Sequence, residues 1–552
     1  MKALLLKASL LASLAISTLA ANAQSLDKEQ NIDISKKAAR GTLGHVETND
    51  ASKEISLVYV TKSTSKKIKF ETYLFDYDLN LISSMEDEIE MDKAKTKYSW
   101  FKFKGEVYVI EGISAEANLT GTFVVKKKQI TYKWSWFALN YTKSTKVLDK
   151  LKFESESGKN MFYLSHYEND ATGEIIALAG ERGKNTEILK PYTIYHIIRV
   201  DYNLNIISDI KVDMKFPNAV IFAGQAPDNQ DPEADANDWV IITAPAGGSG
   251  VGKSANPLAN ELTAFRISPE GKVKSQIKFK SNVHTWHING AYLDGDKMYV
   301  YGAGYAKDAA KKYWGLYDVK NFEQKFTDFQ LVRLGTSQVD FVSANAITDF
   351  TSKNRKPEDQ KNPSIYNGKT VDIRDLSITN SGDVFITAQN YKTDNKGNVQ
   401  GTIYTEMYLF HYSPTGELKN FFAIDDDSRK GAIIGGGVAD ARFYQTNSVV
   451  LSSKDASTVY WMQLIPHHTA CTTEESGTTK ITTCVPVYYP RMIKLNIQTG
   501  TFAKIENYGN GEYFLRGDKP YVKIDNGTKI IFLGENKSGK SIWLGKLDPN
   551  SL

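Results

Sequence analysis

A short hairpin pattern recurs along the chain, and no other feature restricts the fold as strongly. An apolar strand ends in a large residue, Asp, Asn or Ser follows, and a turn leads into another apolar strand. The clearest pair of copies is Phe75-Asp76-Tyr77-Asp78-Leu79-Asn80-Leu81-Ile82 and Val200-Asp201-Tyr202-Asn203-Leu204-Asn205-Ile206-Ile207. A second pair is Ile267-Ser268-Pro269-Glu270-Gly271-Lys272-Val273 and Tyr412-Ser413-Pro414-Thr415-Gly416-Glu417-Leu418, with weaker copies at Leu139, Tyr317, Leu495 and Leu547. Asp, Asn and Ser bond their own backbone at turn starts, Pro presets φ, and Gly takes positive φ. The flanks carry β-branched and aromatic residues in rough alternation, as half-buried strands do.

Between these hairpins lies a second strand type, a nearly continuous apolar run suited to burial on both faces. Val107–Ile110, Ile175–Leu178, Trp239–Ile242, Met298–Tyr301, Val384–Ile386, Val449–Leu451 and Ile530–Leu533 are examples. The hairpins recur at roughly 50 to 67 residues, a period that fits four strands plus loops. Two longer intervals hold insertions, near residues 335–369 and 466–490. Four-stranded antiparallel units repeated around an axis make a β-propeller, whose closure leaves few open edges. The expected fold is therefore all-β, a single propeller over residues 24–552. Eight blades are favoured and seven stay open. The last copy, at Leu547-Asp548, lacks a following strand, and a segment within Ile32–Val60 is expected to supply it. Tandem β-sandwiches would need linkers that are not evident, and a β-solenoid would need a shorter period.

Residues 1–23 read as a signal peptide. Lys2 and Lys7 form a basic start, Ala8 to Ala20 is an uncharged apolar run, and Ala21-Asn22-Ala23 offers a small-x-small cleavage site. The run is shorter than the roughly 20 residues a membrane span needs. No Cys follows it to carry a lipid. The chain is thus expected to be exported: periplasmic, outer-membrane-associated or secreted. A net charge of +4 over 552 residues gives no reason to expect nucleic acid. Two cysteines, Cys471 and Cys484, are expected to pair in an oxidising compartment and close a Thr-rich loop. His467 and His468 lie close by, but adjacent strand residues point to opposite faces, which disfavours a shared metal.

Several motifs invite a sharper reading. Gly247 to Ser254 matches the Walker A phosphate-loop pattern. That mechanism requires a helix after the loop, whereas Pro257 and a strand near Leu262–Phe265 follow, so no nucleotide is expected. The acidic stretch 228–238 carries Asp228, Asp231, Asp235 and Asp238, oxygen donors of the kind Ca²⁺ takes. It lacks the EF-hand spacing, so a solvated loop is preferred, calcium is the alternative, and no cofactor is otherwise implied. Asp425-Asp426-Asp427 has the same ambiguity. His284-Thr285-Trp286-His287 reads as structural or surface residues. Tyr98, Trp100, Phe101, Trp134, Trp136 and Phe137 read as blade-to-blade core, with sugar stacking as the alternative. Neither Gly-x-Ser-x-Gly nor His-Glu-x-x-His occurs.

Taken together, the repeats resemble those of exported bacterial β-propeller-repeat proteins. The resemblance is one of architecture over nearly the whole chain after residue 23. The Trp-Asp signature of WD40 blades and the recurring Gly-Gly doublets of kelch repeats are absent. It implies no residue-level function. The expected role is a non-catalytic binding or scaffold protein of the cell envelope, presenting loops to a protein or glycan partner. The alternative is a hydrolase or lyase acting on polysaccharide or peptide, with carboxylates at a central channel.

Overall fold

The computed structural model describes residues 26–63, 67–90, 101–103, 106–108, 112–116, 124–135, 140–152, 161–169, 174–181, 192–201, 204–228, 237–245, 261–268, 272–283, 285–305, 325–357, 360–369, 371–394, 401–425, 433–434, 439–440, 447–453, 458–476, 479–503, 506–507, 514–515, 520–535 and 540–548. Within 101–150 and 465–490 only the backbone is described.

Nearly all of it is antiparallel sheet, built as consecutive meanders. Sheet A pairs Thr42–Asn49, Glu54–Ser63, Lys67–Asp76 and Leu81–Glu90 in that order. A ribbon (Phe101–Phe103 with Glu106–Tyr108) and a three-stranded sheet (Gly112–Glu116, Val124–Ser135, Asn140–Lys152) follow. Sheet B has seven strands, from Met161–Asn169 to Val273–Lys280. It exceeds the four strands expected of one unit because Ile206–Gln225 is long enough to serve two meanders. Residues 206–213 of that strand pair with Tyr192–Asp201, and residues 218–225 pair with Trp239–Pro245. Sheet C pairs Thr285–Asp294, Lys297–Tyr305, Asp328–Leu334 and Val339–Ala346. Sheet D pairs Asp372–Ile378, Val384–Asp394, Gly401–Tyr412 and Leu418–Ile424. Sheet E pairs Asn447–Ser452, Thr458–Ser476, Thr479–Asn496 and Thr501–Phe502.

Sheet F joins the two ends of the described chain. Phe514–Leu515 and Tyr521–Ile524 precede Lys529–Glu535 and Ser541–Leu547, and its outermost strand is Lys28–Asp33. Lys28 pairs with Lys546 and Asp33 with Ser541. An N-terminal segment thus does complete the last sheet. It overlaps the expected Ile32–Val60 window only at Ile32 and Asp33, because residues from Thr42 onward build sheet A instead.

The hairpin repeat takes the geometry its residues dictate. Asn80 N–H donates to Asp76 Oδ1 at 2.8 Å, and Asn205 N–H donates to Asp201 Oδ1 at 2.8 Å. Both turns place a leucine at positive φ, Leu79 at 62° and Leu204 at 70°. In the Ser-Pro copies Ser268 Oγ accepts from Lys272 N–H (3.3 Å) and Ser413 Oγ from Glu417 N–H (3.1 Å). Gly416 holds the positive-φ place there, and a Cβ would fall 2.5 Å from the Phe341 ring of sheet C. Among the described residues the continuous apolar runs are buried, as in Trp239–Ile242, Met298–Tyr301 and Ile530–Leu533. Most of them form the second strand of a sheet, flanked on both edges.

From sheet B round to sheet A, neighbouring sheets pack apolar faces on each other. One core joins the two meanders of sheet B through Leu178, Ile197, Trp239 and Phe265. Others join sheet B to C (Ile242, Val300), C to D (Phe329, Phe410), D to E (Phe422, Trp461), E to F (Met462, Phe532) and F to A (Leu544, Leu57). The insertion after sheet C contributes α1 (Ile347–Ser352), whose Phe350 packs between Phe329, Phe410 and Phe421. The insertion at 466–490 corrects an expectation. It is not a loop: the two long strands of sheet E continue through it in ladder register as far as Ser476 and Thr479.

Candidate functional site

The first strands of successive sheets lie side by side. Met161–Asn169 neighbours Ile206–Gln225, which neighbours Thr285–Asp294, then Asp372–Ile378, then Asn447–Ser452; Tyr521–Ile524 neighbours Thr42–Asn49. Five of these strands carry a bulge at one shared level. The extra residues are Gly44, Leu164, Ile221, Asn289 and Arg374. After each bulge, pairing resumes opposite Val58, Leu178, Ile242, Tyr301 and Thr387, always the third residue after the first apolar residue of the neighbouring strand. A bulge bends its strand and re-aims side chains, and bulges concentrate beside functional sites. At the Asn289 bulge the partner must be small, because a Cβ on Gly302 would fall 2.0 Å from the His287 carbonyl oxygen.

Charge collects at this level on sheet D. Arg374 donates to Asp372 Oδ2 at 2.9 Å, and Ser377 Oγ donates to Asp375 Oδ2 at 3.1 Å. Lys523, from the first strands of sheet F, lies 3.6 Å from Asp375 Oδ2. That contact spans sheet E, so the row of first strands curves. Tyr292 of sheet C stands in the field of Asp375. Burial first, then that charge, keeps its phenol protonated well above the ordinary range. The arrangement is a half-buried set in which each carboxylate has a cation beside it. Such a set offers donors and acceptors to a polar ligand.

The candidates named from sequence fall mostly elsewhere. Asp238 is buried and bound to the Arg266 guanidinium and to Lys274 Nζ at 2.8 Å. Its charge is already matched. Asp228 accepts from Gly295 N–H at 3.3 Å, and Asp231 and Asp235 lie outside the described residues. Among the described residues no three His, Cys, Asp or Glu are grouped to hold a metal ion. Gly247–Ser254 also lies outside them, and the strand that follows, Glu261–Ile267, returns antiparallel to Trp239–Pro245. His284 is not described. His287 is half-buried, stacks on Phe326, and is held below its ordinary pKa by desolvation. Trp286 donates its indole N–H to the Gly302 carbonyl at 3.1 Å. Asp425 donates its backbone N–H to Gln360 Oε1 at 2.9 Å, and Asp426 and Asp427 are outside the described set. Tyr98, Trp100, Trp136 and Phe137 are likewise outside it; Phe101 and Trp134 lie in strands. Cys471 and Cys484 stand directly opposite each other in the ladder.

Two buried histidines were not singled out by motif. His196 lies between Asp209 (2.7 Å) and Glu181 (3.1 Å) on sheet B. Burial pulls its pKa down, but the two carboxylates outweigh that and raise it. His411 bonds Asp383 at 2.9 Å and Asn420 at 3.1 Å while stacking on Phe385. Both sit inside saturated networks. For His411 the sequence signal would have been the basic residues Arg199 and Arg266 at equivalent places in the repeat.

No family model matches the chain, nor does the sequence of any curated protein. Among solved structures, a member of the duf4221 family from Bacteroides vulgatus is similar at 10% identity and TM-score 0.22, covering 70% of this chain and 91% of that one. An exotype rhamnogalacturonan lyase is similar at 9% identity and TM-score 0.25, covering 92% and 91%. A Hadza microbial sialidase is similar at 9% identity and TM-score 0.24, covering 74% of each. Likeness at these scores places no residue. No helix among the described residues is long and apolar enough to cross a membrane.

Proposed function

We propose that this chain is an exported, eight-bladed β-propeller of the bacterial cell envelope that binds a protein or glycan partner without transforming it. In this reading sheets A and C to F are one blade each, sheet B is two, and the segment 101–152 is the eighth. The strand Lys28–Asp33 closes the ring. Support comes from the face-to-face order of the cores and from the Asp375–Lys523 contact across sheet E.

One observation carries the binding role. Antiparallel pairing sends the tight turns 50–53, 77–80, 202–205, 295–296, 413–417 and 497–500 to one end of the sheets. Most longer connections, 182–191, 246–260, 306–324 and 347–371, and the extension 466–490, leave from the other end, while 226–238 is a longer connection at the tight-turn end. Rigid sheets with elaborated connections on one end are how a scaffold presents a recognition surface. The test is retention of envelope proteins or glycans by the immobilised chain. Replacing 246–260 with a two-residue turn and trimming 466–490 should abolish retention. Undiminished retention after both changes, or none by the unaltered chain, would overturn the reading.

A second reading is favoured by Asp372 and Asp375 beside the row of first strands: hydrolysis or elimination on a polysaccharide. Turnover of a glycan panel that disappears in Asp375→Asn would establish it in place of the first.

A further inference from the structure

We infer that Cys471 and Cys484 form a cross-strand disulfide that locks a two-stranded arm extending from sheet E. The strands Thr458–Ser476 and Thr479–Asn496 pair along their whole length. Only their base has further ladder partners. Asn447–Ser452 pairs with residues 459–464, and the short strands Thr501–Phe502 and Glu506–Asn507 pair with 495–496 and 491–492. From 465 to 490, among the described residues, each strand's ladder partner is the other alone. A two-stranded ribbon by itself is marginal in water. This one needs a further constraint to stay paired.

The register supplies the place for it. Cys471 is the direct partner of Cys484. Directly opposed residues of an antiparallel pair share a face, with Cα atoms about 4.5 to 5.5 Å apart. A disulfide spans Cα distances of about 4.4 to 6.8 Å. Shifting either strand by one residue would put the cysteines on opposite faces, so the bond also fixes the register. Pro466, Pro486 and Pro490 lie in the same strands. Proline has no N–H to offer and is confined to strand edges. The prolines are consistent with an arm that stands without a third strand and resists strand addition by other chains.

The oxidant is a disulfide, either the disulfide form of a protein carrier or a small-molecule disulfide. One cysteine thiolate attacks it, forming a mixed disulfide and releasing one thiol. The second cysteine thiolate displaces the other thiol, so the S–S bond forms as two S–H groups are lost and the oxidant leaves as two thiols. This inference does not depend on what the protein binds.

The test uses the full chain equilibrated with oxidised glutathione. Iodoacetamide added after unfolding without reductant should leave both cysteines unmodified, and peptide mapping should link them. Chymotryptic cleavage after Tyr488 should rise at least tenfold on adding dithiothreitol. The Cys471→Ser, Cys484→Ser double variant should match the reduced protein and be insensitive to dithiothreitol. Two alkylated cysteines, or a cleavage rate unchanged by reduction, would overturn the inference, whatever the outcome of the partner-retention experiment.

Discussion

The Arg266 guanidinium grips the buried Asp238 carboxylate, and the same two register positions are occupied by Arg199 with Glu174 and by His411 with Asp383. In each case the acid immediately precedes the second strand's apolar run. The basic side chain sits one residue before the turn-forming end of the third strand. The pair ties the start of one strand to the end of its neighbour at the tight-turn end of the sheet. Arg266 also donates to the Gly295 carbonyl at 2.5 Å, carrying the tie into sheet C.

Removing one partner should therefore cost more than removing both. Arg266→Leu leaves Asp238 with Lys274 alone and is expected to lose about 3 kcal/mol, the scale for breaking a buried pair. Arg266→Leu combined with Asp238→Leu should recover part of that loss, since an apolar pair of similar volume needs no charge partner. Urea unfolding of the two variants checks this. A double variant no more stable than Arg266→Leu would contradict it.

His196 predicts a pH dependence. Its folded pKa is raised above the ordinary value, because Asp209 and Glu181 outweigh the opposing effect of burial. Its contribution is thus full below the unfolded value of about 6.5 and is lost as pH rises through the raised folded value. Urea midpoints measured from about pH 6 to about pH 8.5 should fall for the parent chain. His196→Gln should be less stable at the acid end and should lack that component of the slope.

Leu79 trades strain for burial. A leucine at φ 62° sits in the left-handed region, which costs roughly 1–2 kcal/mol, yet its side chain is fully buried against the sheet A–F core. Leu79→Gly removes the strain but also a buried side chain worth about 2–5 kcal/mol. A net loss of about 1–4 kcal/mol is expected by thermal or urea unfolding. Leu204→Gly should cost less, because Leu204 is less completely buried.

Much of this was legible in the sequence, because turn chemistry is local. Asp76-Tyr77-Asp78-Leu79-Asn80 and its copy at Asp201 can close by self-contained hydrogen bonds, so the repeat could be read without tertiary information. The apolar runs were legible because double-sided burial leaves no polar alternation. Other features were not. The sharing of Ile206–Gln225 by two meanders depends on the strand continuing through Met214–Pro217, where turn residues would otherwise mark a break. The bulges leave no residue signature: Gly44, Leu164, Ile221, Asn289 and Arg374 have nothing in common but their place. The paired charges could have been found by comparing the residue before each apolar run with the residue before each turn. Asp375 and Lys523 meet only because distant first strands converge, and local spacing does not encode that.

Closure by the N-terminal strand is the claim on which the ring depends, and a cysteine pair across the Lys28↔Lys546 register position tests it directly. Lys28→Cys and Lys546→Cys would be introduced into the Cys471→Ser, Cys484→Ser chain and exposed to oxidised glutathione. A bond between the two ends is expected in the folded protein, seen as a linked peptide and a changed mobility without reductant. An out-of-register pair, Asp33→Cys with Lys546→Cys, should not form it. If both cysteines of the in-register pair stay open to alkylation in the folded chain, the strand Lys28–Asp33 does not close sheet F and the ring fails with it.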